Sequence, residues 1–265
     1  MKGSTRIAKG RIEEAAGAGR QRQVAGQGPA GSLRTMTNCN IFCALLLFVS
    51  LATGAAHASA PFAKGEVIRY GIKKVGIKVG EATLEFKGKT SRDGKKYTLI
   101  IFSAKGFNFF DEERIFVDGK TFLPKLVIRD LNIFGIKSKI IEEYDQAAGT
   151  IKITKVAKGG TTVQVLEKKG PIDNIYGFIY RCRIHGSLNQ EEKFKVRLPT
   201  LDVTIAGVKD LGFKAAGKTY QAILLRSIPP KYSIWMDKGS ERIPLRIAGA
   251  VGIANTVMTM IEYKQ

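Results

Sequence analysis

"ATLEFKGKTSRDGKKYTLIIFSA", residues 82–104, contains the two runs that decide the fold class. Ala82, Leu84 and Phe86 fall on one side of an extended chain, with Thr83 and Glu85 on the other, which is the period-2 pattern of a half-buried strand. "KYTLIIFSA" follows after Asp93-Gly94 and Lys95, and Asp-Gly suits the positive φ angles of a type I′ hairpin turn. The same pattern repeats outward. "RIFV" and "LPKLVIRDL" flank a second such pair, Asp118-Gly119. "KSKIIEEY" and "TIKITKV" flank "DQAAG", and "TTVQVLE" continues the series. Later come "EKFKVRL", "LDVTIAGV", "YQAILLRSI", "YSIWM", "RIPLRI" and "NTVMTMIEY". About a dozen evenly spaced strands predict an all-β, mainly antiparallel fold, a strongly curved sheet or barrel-like shell.

One stretch breaks the alternation. In "PIDNIYGFIYRCRIHG", 171–186, Asp173 is a capping residue, Ile175, Phe178, Ile179 and Cys182 recur at i, i+3, i+4 and i+7, and Gly186 is a stop. This predicts a helix of about three turns, despite Gly177. A single short helix in such a chain is expected to cover the open side of the sheet. "KYSIWMDKGSERIPLRI", 231–247, holds the only Trp and reads as a hairpin. Ser233, Trp235 and Asp237 face one way and Tyr232, Ile234 and Met236 the other, with Gly239 expected to supply φ > 0 in the turn. Pro244 lacks an N–H, which fits an edge or a bulge. Trp235 is expected to pack beneath the helix.

The ends of the chain differ in character. Residues 1–35 are rich in Gly, Ala, Arg and Gln without an aromatic residue, a composition too polar to fold, or else they precede a true start at Met36. Residues 36–58 read as a cleavable secretory signal: an apolar run from Ile41 to Ala52 leads into Ala56-His57-Ala58, with the cut expected after Ala58. Cys39 and Cys43 precede the end of the apolar run and are not lipidation sites. The remainder, 59–265, reads as a single β-rich domain exported to the periplasm.

The full chain carries 43 Lys and Arg against 23 Asp and Glu, a net charge of +20. Behind a secretory signal this basicity points away from nucleic acid. It points towards anionic lipid headgroups, lipopolysaccharide phosphates or acidic wall polymers, with peripheral membrane contact. The alternative is that lysines merely solvate strand faces and guard sheet edges. "YGIKKVGIKVGEA" and "FGIKSK" share a Gly-Ile-Lys element, and Phe107, Phe109 and Phe110 cluster in "KGFNFFDEER". That cluster reads equally as an interaction surface or as a core edge under a loop.

Catalytic chemistry finds little support. Cys182 and His185 are the only Cys and His beyond residue 58. Their i, i+3 spacing on the helix permits contact, but no third group orients a base. Tetrahedral metal binding needs more nitrogen or sulfur ligands. Glu142 and Glu143 are strand neighbours and point to opposite faces. Asp111 and Glu113 share a face beside a turn, where solvation is expected. The glycines of "VGIKVGE" open no helix, so neither a phosphate cradle nor a cofactor is implied.

Four segments occur in a familiar order: "KGEVIRYGIKKVGIKVGEATLEF", "VDGKTFLPKL", "DNIYGFIYRCR" and "YSIWMDKGSERIPLRIAG". The chain resembles the domain-of-unknown-function family numbered 3108, found in exported bacterial proteins, over about residues 64–263. Trp235, Asp237, Arg242, Ile243 and Pro244 carry the most specific match, with Asp173 and Tyr180 midway and Arg181 and Arg183 competing for one position. The resemblance implies export and supplies no catalytic residues.

Together these features favour a soluble, non-enzymatic β-shell that binds or carries a lipid or other anionic amphiphile in envelope maintenance. Its ligand-contacting residues are expected to be Trp235, Tyr180 and Phe178 in the interior, with Arg183 or Arg246 meeting the headgroup. The alternative is a protein-interaction module of envelope assembly with a solid core.

Overall fold

The computed structural model describes residues 60–184, 188–250 and 256–265. The expectations for 1–35 and 36–58, and those resting on His185 and Gly186, lie outside these residues. The described residues fall within one compact unit, Ala56–Gln265.

Eight strands form the first wing: β1 (Val67–Lys74), β2 (Ile77–Arg92), β3 (Lys95–Gly106), β4 (Phe109–Val117), β5 (Pro124–Ile133), β6 (Ile136–Asp145), β7 (Thr150–Ala157) and β8 (Gly160–Glu167). Helix α1 (Ile175–Ile184) follows. The second wing is β9 (Lys193–Arg197), β10 (Asp202–Ala215), β11 (Lys218–Ile228), β12 (Ser233–Asp237), β13 (Pro244–Ala248) and β14 (Thr256–Lys264). All fourteen lie in one antiparallel sheet, ordered β8 to β1 and then β14 to β9. Every neighbouring pair is consecutive in the chain except β1 and β14, so the first and last strands meet in mid-sheet.

That order makes β8 and β9 the two edges, although they follow one another in sequence. The chain must therefore cross from one edge to the other after β8, and α1 lies on this crossing. Bulges bend the strands, with register shifts at Arg69/Tyr70, Phe86/Gly88, Phe116/Val117, Gly207/Lys209 and Trp235/Met236. The sheet is strongly curved but not closed. Near the base, Lys168 Nζ bonds Asp202 Oδ1 at 2.8 Å and Asp173 N donates to the Arg197 carbonyl at 2.6 Å, linking the crossing segment to the far edge.

The hairpin at Asp93-Gly94 forms as expected, with φ of 51° and 73°. Asp118-Gly119 behaves differently. Its loop is longer, the Asp118 carboxylate accepts from Lys120 N and Thr121 N, and the left-handed residue is Phe122. In the 231–247 hairpin the left-handed residue is Arg242 at φ 47°, not Gly239. Gly239 instead packs close to the Asp237 carboxylate, where a Cβ would lie 2.7 Å from Oδ2. Pro244 sits at the bulge between β12 and β13, in mid-sheet and not at an edge.

Alternation puts Ile68, Tyr70 and Ile72 of β1, Ile100, Phe102 and Ala104 of β3, and Ile234 and Met236 of β12 into one apolar core. Helix α1 enters this core and is buried nearly all round. The expected stripe of Ile175, Phe178, Ile179 and Cys182 is buried, and so are Tyr176, Gly177, Tyr180 and Arg183. Enclosure by the curved sheet explains this burial, where a surface helix would bury one stripe. The capping residue is Asn174 and not Asp173: Asn174 Oδ1 accepts from Tyr176 N at 2.9 Å and Gly177 N at 3.3 Å. Asp173 pairs instead with Arg181 at 2.6 Å. Gly177 lets the helix approach the β4–β5 loop, because a Cβ there would lie 3.0 Å from the Phe122 carbonyl oxygen.

Candidate functional site

The five residues expected to meet a ligand divide into two groups. Tyr180, Phe178 and Arg183 project from α1 into the filled core, each fully buried. Phe178 packs edge-on against Phe194 at 5.6 Å. Arg183 clasps Glu66 with both terminal nitrogens at 2.6 Å, donates to the Glu241 carbonyl at 3.0 Å, and lies over the Phe62 ring at 4.7 Å. The Tyr180 and Tyr263 hydroxyls donate to the same carboxylate at 3.2 and 3.1 Å. This lock holds α1 to Glu66, next to the start of β1, and to Tyr263 of β14.

Trp235 and Arg246 form the second group. They are cross-strand partners on β12 and β13, with the guanidinium 4.8 Å from the indole ring centre. Trp235 alternates with the core residues Ile234 and Met236, so it occupies the opposite face of the sheet. It does not lie beneath the helix, and Phe213 is its aromatic neighbour at 6.1 Å. The two groups therefore do not line one cavity, and α1 occupies the interior in which a ligand was expected.

The strand pattern of the first wing hides a polar cluster. Asp111 and Glu113 were expected to be solvated, but they sit on the inward face of β4 and are buried. Register places Arg129 of β5 opposite Glu113, and Glu142 of β6 opposite Val127 on the same inner face. Arg129 holds Asp111 through two bonds, Nε to Oδ1 at 2.7 Å and Nη2 to Oδ2 at 2.5 Å, and its Nε lies 3.4 Å from Glu113. Burial raises Glu113 from an ordinary 4.5 to about 7, opposed by Arg129 and reinforced by Asp111. Burial likewise raises Glu142, which accepts a bond from the Tyr144 hydroxyl at 2.5 Å. Asn174 links the cluster to the helix by donating to Glu113 at 3.3 Å. The cluster carries more acid than base. It offers no histidine or thiol. Glu143, as its strand position requires, points outward and is exposed.

Cys182 is buried, and burial pushes its thiol well above the ordinary range, which keeps it protonated and unreactive.

The inner face opens towards one end of the first wing. Tyr144 and Ile151 are buried at its base, Ile140 and Ile153 are half-buried, and Lys155, Thr162 and Gln164 are exposed. Near that open end lies a groove of about 470 Å³. Phe110, Leu131, Val156 and Ala157 give it apolar walls, and Lys137, Lys139 and Asp130 stand at its side, with Lys139 paired to Asp130 at 3.3 Å. Its size falls within the range of small-molecule pockets, about 300–1,000 Å³. The Phe cluster at 107–110 thus belongs partly to the core, through Phe109, and partly to this surface, through Phe107 and Phe110.

No family model and no curated protein matches the chain. One solved structure is similar over 76% of this chain and 97% of its own, at 8% identity and a TM-score of 0.45. It is a beta-barrel-like protein of the domain of unknown function DUF1849 from Brucella abortus.

Proposed function

We propose that the protein is a non-enzymatic β-shell of the bacterial periplasm that binds a lipid or other anionic amphiphile at its surface. The observation that carries this reading is the groove beside the β5–β6 turn, where Phe110 and Val156 lie next to Lys137 and Lys139. Apolar walls bury an acyl chain, each methylene contributing about 0.8 kcal/mol, and Lys137 meets an anionic headgroup, Lys139 being paired with Asp130. An interior cradle made by Tyr180, Phe178 and Arg183 is disfavoured, because those side chains are spent on internal contacts. The basic charge of the chain suits the same class of ligand.

Native mass spectrometry with monomeric lyso-phosphatidylglycerol tests the reading. A single adduct is expected, weakened in Val156→Asp and Lys137→Glu and retained in Phe178→Leu. Absence of any adduct with the unaltered protein would sink the reading, as would an adduct indifferent to both groove substitutions.

A further inference from the structure

Four consecutive hairpins of the first wing, β1–β2, β3–β4, β5–β6 and β7–β8, turn at the same end of the sheet. Their sequences are "KKVGIKV" (73–79), "KGFNFF" (105–110), "IFGIKSK" (133–139) and "KVAKGG" (155–160). None contains a carboxylate, and each carries an exposed lysine, Lys74, Lys105, Lys137 and Lys158 in turn. At the tips, Val75 is 86% exposed, Phe107 87% and Phe134 72%. Two of these tips touch: Phe134 N donates to the Asn108 carbonyl at 2.7 Å.

The opposite ends of the same strands follow another rule. Their turns begin at Asp93, Asp118 and Asp145. At Asp93-Gly94 the left-handed position holds an Asp, a residue suited to it. At the apolar end Val75 (φ 49°) and Phe134 (φ 51°) hold equivalent positions. A β-branched or bulky residue is disfavoured there. Both side chains are exposed, so little side-chain packing offsets the strain. Asn would serve the turn better, and these side chains do nothing for the fold that it would not do.

We propose that this end of the first wing is a docking edge for the surface of an anionic lipid bilayer. The inference rests on the amphiphile reading and names the form in which the amphiphile is met. Separate apolar tips ringed by lysines match the layering of a bilayer interface. Val75, Phe107 and Phe134 enter the acyl boundary, and the lysines remain at the level of the phosphates. A protein partner of ordinary size would instead bury a contiguous patch of about 800 Å² a side, whereas the exposed apolar side chains here sit on narrow turns with lysines between them. The groove holding Phe110, Lys137 and Lys139 opens beside the docked tips, where a lipid leaving the bilayer would meet it.

The test is co-sedimentation of the purified protein with vesicles of phosphatidylglycerol and phosphatidylcholine in equal amounts, against phosphatidylcholine alone. Binding to the anionic vesicles is expected, and it weakens as salt shortens the range of the charges. Phe107→Ser combined with Phe134→Asn is expected to lower the partition constant about tenfold or more. Lys74→Gln combined with Lys137→Gln is expected to lower it about fivefold per charge removed. Urea titration of each variant establishes that it folds. No binding to anionic vesicles, equal binding to neutral ones, or unchanged binding by both variants would each overturn the docking edge. If vesicles fail while the lyso-phosphatidylglycerol adduct persists, the edge falls and the amphiphile reading stands. If neither binds, both fall. Concentration-dependent self-association that the tip substitutions abolish, in place of vesicle binding, would assign the edge to a second copy and overturn the bilayer.

Discussion

Replacing Glu66 by Gln probes the contact that joins the most distant parts of the chain. Glu66 and Arg183 are 117 residues apart and both fully buried, joined by two bonds of 2.6 Å. Glu66 also receives the hydroxyls of Tyr180 and Tyr263, so one carboxylate ties the start of β1 to α1 and β14. Gln keeps the shape but presents at most one oxygen, and its amide nitrogen faces a guanidinium that has no route to water. Two charge-assisted bonds, about 1.5–3 kcal/mol each, are replaced by one neutral contact and a misplaced donor. Removing one partner of such a pair costs about 3–5 kcal/mol, a fifth or more of the roughly 5–15 kcal/mol of a typical domain. The assay is urea unfolding followed by circular dichroism. The double variant Glu66→Gln, Arg183→Met is expected to lose less than the sum of the single losses, by about 2 kcal/mol. A single-variant loss below about 1 kcal/mol, the worth of a solvated surface pair, would refute the claim that this pair is dry.

Further outcomes follow from other sites. Glu113 is raised from 4.5 to about 7, so the folded state holds a proton that the unfolded chain releases. Its contribution is fully present below about pH 4.3, the unfolded value, and is lost as pH rises to about 7. Glu113→Gln should flatten that slope, removing about 3 kcal/mol of pH dependence, and urea midpoints across this window would reveal an unchanged slope if the reasoning is wrong. Gly177→Ala would gain about 1 kcal/mol in helix propensity, yet the new Cβ lies 3.0 Å from the Phe122 carbonyl. A net loss of about 1–3 kcal/mol is expected, and a gain would show that the helix has room. Val75→Asn and Phe134→Asn relieve positive φ at exposed sites. Their thermal midpoints should hold or rise, and a fall would mean that these side chains pack within the fold.

Much of the fold is legible in the residues. Period-2 alternation locates the strands of both wings, because each strand buries one face against the same core. The return of β14 to β1 is not legible, since nothing local in "VIRYGIKK" or "TVMTMIEYK" specifies that partner over another. Turn chemistry is legible where two residues suffice, as at Asp93-Gly94. It misleads where a carboxylate caps a longer loop, as at Asp118, or where a neighbour crowds the glycine, as at Gly239.

The site was harder to read for a related reason. Tyr180, Phe178 and Arg183 carry the right chemistry for an amphiphile, but α1 is enclosed and spends them internally. Glu66 gives no sign in "KGEVIRY" that an arginine far along the chain will meet it. Asp111 and Glu113 share parity with Phe109 and Ile115, which is the one signal that could have placed them inside. The shared Gly-Ile-Lys element is visible, but only the hairpin topology puts its copies at Gly76 and Gly135, with Phe107, at one end of the sheet.

The most direct measurement is photo-crosslinking with a diazirine-labelled phosphatidylglycerol in vesicles, read by peptide mapping. Label on peptides covering 73–79, 105–110, 133–139 and 155–160, and little on those covering α1 or Trp235, is the expected result. Label concentrated on 175–184 or around Trp235, with the tips unmarked, would contradict surface binding and return the ligand to the interior.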